Sequence, residues 1–245
     1  MNIADKLTTI AENEQKVYDK GVTDGRQAEY DEFWSEYLTP WYSGNFQYYF
    51  AGNGWDNTTF KPSKNIYVYT SAISMFRESK ISGDLDAILK ELGIKITFGK
   101  ASVNNCFAFT YFTKLPHLGW SQITDINTAF YGNNHLTDIS MDLPEYALGF
   151  NNTFYNAKVL ANLTITSGKI MRSIDFSYSP LTPASMKSVI NALENFSGTD
   201  NELKYTVTFK VDCWTALEAD STPVDEGIEY EGTWRDYVTN LGWLN

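Results

Sequence analysis

Two cysteines and two histidines in 245 residues leave little material for metal or thiol chemistry. Cys106 and Cys213 lie far apart, and no Cys/His pattern has zinc spacing. A buried free thiol at Cys106 fits better than a disulfide, although a bridge stays open. His117 follows Pro116 in a loop and His135 lies in a turn; neither has a Ser or Cys motif beside it that would mark nucleophilic catalysis. A glycine-rich phosphate loop and a dinucleotide fingerprint are both lacking. Pairs such as Asp84/Asp86 or Asp225/Glu226 could serve a glycosidase, but a carboxylate pair means little until its separation in space is known. The acidic stretch 220–232 lacks the EF-hand ligand spacing, so a solvated loop is favoured over a calcium site. The expectation is a protein that is not an enzyme, with no catalytic, cofactor-binding or metal-ligating residues.

Long apolar runs are also lacking, which argues against a membrane span. The opening Met-Asn-Ile-Ala-Asp-Lys-Leu has no basic region followed by an apolar core, so no secretion signal is expected. Basic residues are scarce: 19 against 30 acidic ones, for a net charge of −11. The deficit is uneven. Residues 1–37 carry net −5 and residues 200–245 net −7, whereas the middle is +1. Both ends would repel a polyanion, so nucleic acid is not the expected partner. The 43% hydrophobic and 16% aromatic content argues against disorder and is enough for a proper core.

What is present is a repeat. Residues 126–139, Ile-Asn-Thr-Ala-Phe-Tyr-Gly-Asn-Asn-His-Leu-Thr-Asp-Ile, have a near copy at 150–163, Phe-Asn-Asn-Thr-Phe-Tyr-Asn-Ala-Lys-Val-Leu-Ala-Asn-Leu, 24 residues on. Upstream, Asn105-Cys106-Phe107 with Phe112 and Leu115 fits with one residue missing, and Ser74-Met75-Phe76 with Ile81 and Leu85 fits more loosely. Downstream, residues 173–176 keep the strand but lose the Phe-Tyr turn. A period of this size marks stacked repeats. The phenylalanines at 76, 107, 130 and 154 are expected to form an internal ladder, with neighbouring turns supplying each other's core. Asn-rich turns suit tight left-handed corners. The alternative is chance similarity within a β-rich protein.

Around the repeat, residues 3–19 read as a helix whose Ile3, Leu7, Ile10 and Val17 form a short heptad seam. That seam either lies on its own domain or drives self-association, for which a homotrimer is the candidate. Residues 28–37 resume a helix. Residues 39–69 mix turn residues with Trp41, Tyr42, Tyr48, Tyr49 and Trp55; this cluster is either a sugar-stacking surface or, preferably, a packed junction closing the end of the repeats. Residues 84–93 form a helix capped by Asp84 and ended by Gly93, followed by a strand at 94–98. Thr182 and Pro183 start another helix, with Met186, Val189, Ile190 and Leu193 as its buried stripe and Gly198 as its end. A strand at 205–211, a short helix at 212–219 and a final turn with Trp234, Val238, Leu241 and Trp243 complete a C-terminal cap.

At these residues the chain resembles the BspA-like leucine-rich repeat proteins, over roughly residues 70–245. The Phe-Tyr turn followed by Leu-x-x-Ile/Leu carries the likeness, as does the closing Ser-Pro-Leu-Thr-x-x-Ser-Met-x-Ser-Val-Ile-Asn-Ala-Leu at 179–193. The opening is similar to leaders of proteins encoded by phages and prophages of gut Firmicutes. Together with the residue pattern, the resemblance gives an expected α+β fold: a short, irregular leucine-rich-repeat-like β-solenoid (70–245), with the N-terminal helical segment (1–37), the aromatic junction (38–69) and the helical C-terminal cap read from the residues. It implies a virion-located, tail-associated structural or host-recognition protein, whose partner is another tail component, itself or a host-surface receptor. An intracellular protein-interaction module is the alternative, and a carbohydrate-active enzyme comes third.

Overall fold

The computed structural model describes residues 42–146, 148–220 and 232–245. The chain divides into two units, Met1–Tyr42 and Ser43–Asn245, and the described residues lie almost wholly in the second. The predicted seam of Ile3, Leu7, Ile10 and Val17, the helix at 28–37, Trp41 and nearly all of the acidic stretch lie outside them.

The described part is mixed α and β, with short parallel strands, four α-helices and no closed barrel. In chain order the elements are β1 (Tyr42–Asn45), β2 (Ile66–Ser71), β3 (Ser82–Asp84), α1 (Leu85–Leu92), β4 (Ile96–Phe98), β5 (Tyr111–Lys114), a 3-10 turn (Trp120–Gln122), β6 (Asp138–Asp142), β7 (Asn162–Ser167), β8 (Ile174–Phe176), α2 (Pro183–Ala192), β9 (Val207–Phe209), α3 (Val211–Ala219) and α4 (Trp234–Asn240). The strands make three sheets, ordered β1-β2-β4, β3-β5-β6-β7 and β8-β9. In the four-stranded sheet Ile139 pairs with Leu163 and Met141 with Ile165, a register shift of 24 residues that equals the sequence period. Parallel pairing requires each strand to be reached by a crossover, and the repeat supplies it as a compact turn instead of a long helix.

Those turns share one hydrogen-bonding scheme. Between residues 126 and 133, the N–H groups of Ala129, Tyr131 and Asn133 close the turn onto Ile126, Thr128 and Phe130. The intervening N–H groups of Thr128, Phe130 and Gly132 donate to Asn151, Thr153 and Tyr155 of the next turn. The same alternation joins residues 103–109 to 125–131, residues 72–78 to 102–108, and residues 46–52 to 71–77. Turning every second N–H outward requires left-handed residues. They recur at Tyr48, Ser74, Asn105, Thr128 and Asn152, and again four residues later at Gly52, Glu78, Phe109, Gly132 and Asn156. The expected Asn corners are therefore present, shared with residues less suited to them.

The side chains stack with the backbone. The expected ladder of Phe76, Phe107, Phe130 and Phe154 has ring centroids 5.5, 5.9 and 5.4 Å apart, with planes within 21° of parallel. It extends to Phe50 on one side (5.3 Å) and to Phe176 and Phe209 on the other (4.7 and 5.7 Å). All seven rings are buried. Strand spacing in a sheet, about 4.8 Å, sets the rise, and the rings follow it. Phe50 belongs to the stretch read as a junction: residues 46–52 repeat the turn of residues 72–78. Buried Asn133 locks one corner, its amide donating to the Phe107 carbonyl (3.2 Å) and Thr110 Oγ1 (2.8 Å) while its oxygen accepts from the N–H of His135 (3.1 Å) and Leu136 (2.9 Å).

Helix α1 forms as read, with the Asp84 carboxylate capping the N–H of Asp86 and Ala87 and Gly93 left-handed at the end. It accounts for the longer step from Phe76 to Phe107. Helix α2 begins as expected at the Thr182 cap and Pro183. It stops at Ala192, short of Gly198, because Leu193 turns extended and bridges in parallel to Ile170. Leu193 is buried, but as part of that bridge and not of the helical stripe. Both edges of the four-stranded sheet are closed by side chains. Asn57 mimics a strand against β3, accepting from Ser82 N–H (2.8 Å) and donating to its carbonyl (3.0 Å). On β7, the N–H groups of Leu163 and Ile165 donate to Ser185 Oγ (2.9 Å) and Ser188 Oγ (2.8 Å) of α2. Sealed edges do not recruit foreign strands.

Candidate binding surface

The second aromatic of each Phe-Tyr pair, Tyr131 and Tyr155, is only half-buried, whereas the Phe before it is wholly buried. Tyr131 stacks on Tyr155 at 5.2 Å and 17°, Tyr155 meets Tyr178 at 4.8 Å, and Phe109 meets Tyr131 edge-on at 5.4 Å. Phe109–Tyr131–Tyr155–Tyr178 is thus an outer row running parallel to the buried ladder. Its middle rings are half-buried by their neighbours and its end rings are exposed. Tyr178 Oη lies 3.5 Å from Tyr155 Oη, and this contact holds the Tyr178 phenol above its ordinary range. Tyr111 lies beside the row, stacked on His135 at 4.4 Å.

The row ends abruptly at Phe109. One turn earlier its place is taken by Glu78, and one turn before that by Gly52. Beyond the last ring, an open cleft of about 360 Å3 is lined by Asn53, Glu78, Phe109 and Tyr111. The Phe109 ring is seated over Gly132, where a Cβ would collide with it. Glu78 accepts from Arg77 Nε at 3.0 Å through one carboxylate oxygen.

The residues singled out in sequence fare unevenly. Tyr48 and Tyr49 are exposed, at 58% and 50%. Trp55 is half-buried, edge-on to Phe50 at 5.1 Å, and so packs the first turn. Tyr42 opens β1. The outer row was not singled out, although the Phe-Tyr dipeptide that builds it was the most visible part of the repeat.

Asp225 and Glu226 lie outside the described residues; the other groups considered for chemistry have structural partners. Asp84 caps α1, and Asp86 pairs with Lys90 at 2.8 Å, which raises the lysine. His117 Nε2 lies 2.8 Å from Asp142 Oδ1, but out of line for an imidazole N–H bond, so the contact is electrostatic. Burial alone would push Asp142 up; the Ser121 hydroxyl, a backbone N–H and His117 outweigh it and bring the carboxyl below its ordinary range. Cys106 and Cys213 are free and buried, and burial pushes both thiols up, which makes them poor nucleophiles. Among the described residues, no three His, Cys, Asp or Glu side chains converge as metal ligands, and no helix is long and apolar enough to cross a membrane.

No protein-family model, curated protein or solved structure matches this chain.

Proposed function

We propose that this chain is a non-enzymatic binding protein built on a leucine-rich-repeat-like β-solenoid of the BspA-like kind, serving as a tail-associated structural or host-recognition protein of a phage virion. The observation that carries the binding reading is the pairing of a continuous buried phenylalanine spine with an outward aromatic row at the same period. Stacked turns give a rigid surface whose side chains repeat at fixed intervals, which suits recognition by shape and contact more than by chemistry. Tyrosine brings large contact area at small entropic cost, so a row of it is suited to a protein partner. Rings stacked face to face offer edges, whereas sugar stacking needs open faces; protein is therefore preferred over glycan along the middle of the row.

The placement in a virion rests on the resemblance of the opening residues alone. Its test is mass spectrometry of density-banded virions from a lysogen that carries this sequence. The protein banding with the capsid and tail proteins, in fixed ratio to them, supports the virion reading. Its recovery only in the soluble lysate contradicts that reading and leaves an intracellular interaction module.

A further inference from the structure

We propose that the cleft at the end of the outer row is the seat of an arginine side chain supplied by a protein partner. Three observations converge on it. The outer row terminates at Phe109, which meets Tyr131 edge-on and shares an open cleft with Glu78. Tyr111 repeats the arrangement: its ring is stacked on His135, one repeat further on. A carboxylate, Glu78, lies in the same cleft with the Asn53 amide. Two aromatic side chains and a carboxylate around one open space suit a flat cation. Guanidinium lies on aromatic faces and pairs with carboxylate through its fork, whereas an ammonium offers only a point charge.

The backbone adds an independent argument. At the second left-handed position of the turn, three turns use Gly52, Gly132 and Asn156, which tolerate it; the two lining this cleft use Glu78 and Phe109, at φ 60° and 57°. Strained residues also hold the first left-handed position, at Tyr48 and Thr128; what sets Glu78 and Phe109 apart is that both line the same cleft. Arg77 Nε occupies Glu78 Oε1 at 3.0 Å, so an incoming guanidinium meets the other carboxylate oxygen, which has no protein partner among the described residues.

This inference deepens the binding-protein reading and is independent of the virion placement. The test is NMR titration of the full chain with the peptide acetyl-Gly-Arg-Gly-amide, alongside its citrulline counterpart, which keeps the shape and loses the charge. The expected result is saturable shifts confined to the amides around Glu78, Phe109 and Tyr111. Binding should weaken by about fivefold or more in Glu78→Gln and in Tyr111→Ala, and by as much with citrulline. Shifts that are diffuse, that persist in both variants, or that are equal for citrulline or for a lysine peptide overturn the proposal. Glu78→Gln guards against misfolding, since it changes charge without size. Arginine binding in a protein absent from virions would sink the virion reading alone; virion incorporation without arginine binding would sink this one alone.

Discussion

Phe130 is the middle rung of the buried spine, and replacing it with alanine gives the sharpest stability prediction. Its ring stacks between Phe107 and Phe154 at 5.9 and 5.4 Å and meets Trp120 edge-on at 5.9 Å. It is wholly buried, so the turns above and below must either collapse into the gap or leave it empty. The backbone bonds of Phe130 and Gly132 to the next turn hold the spacing open, which disfavours collapse. Phe→Ala in a core costs about 3–5 kcal/mol. With two stacked partners lost, worth about 0.5–1.5 kcal/mol each and partly counted already, the upper end applies. A domain stable by about 5–15 kcal/mol would lose a large share of its stability. Tyr131, the next residue, stacks on Tyr155 in the outer row but stays half-exposed, and Tyr131→Ala should cost less than about half as much. Urea unfolding followed by Trp fluorescence and far-UV circular dichroism measures both, Trp120 reporting directly on the gap. Equal losses for the two variants, or a loss below about 1 kcal/mol for Phe130→Ala, would refute the reasoning.

Three further outcomes are expected. Glu78→Gly should raise stability by about 1 kcal/mol in the same urea assay, by removing a left-handed glutamate, while abolishing arginine binding. Asn57→Ala should cost about 1–3 kcal/mol by stripping two hydrogen bonds from the β3 edge, and light scattering should show increased self-association. The Thr58 hydroxyl and the N–H groups of Thr58 and Thr59 hold Asp56 down from an ordinary 3.8 to about 2. The lowered folded value means its stabilisation is complete above pH 3.8 and is lost as pH falls towards 2. Asp56→Asn should therefore flatten the acid limb of a melting-temperature profile in that window, and an unchanged limb would contradict the assignment.

Much of this was legible because the repeat puts the same demand on the same positions. The Phe ladder, the corners at Asn105 and Asn152, the Asp84 cap with Gly93, and the Thr182-Pro183 start follow from local chemistry that the sequence displays. What was hidden depends on contacts between turns. Residues 46–52 look like a junction because tyrosines mask the motif, yet the spacing of Phe46 to Phe50 equals that of Phe150 to Phe154. The end of α2 is not legible because Leu193 suits a helical stripe as well as it suits a bridge to Ile170. The cleft was invisible because it is defined by where an aromatic column stops: nothing in Glu78 itself announces that it sits under Phe109.

The most direct test of the stacked-turn account is to lengthen the stack by one period. A chain with residues 126–149 duplicated in tandem adds one phenylalanine to the spine and one tyrosine to the outer row, with Gly132 still beneath Phe109. If each turn is completed by its neighbours, this longer protein folds and unfolds in one cooperative urea transition, with an m-value higher by roughly a tenth. If the turns instead belong to a single closed core, the duplication has nowhere to go. Loss of the cooperative transition, or an unchanged m-value with the extra 24 residues open to protease, would contradict the account.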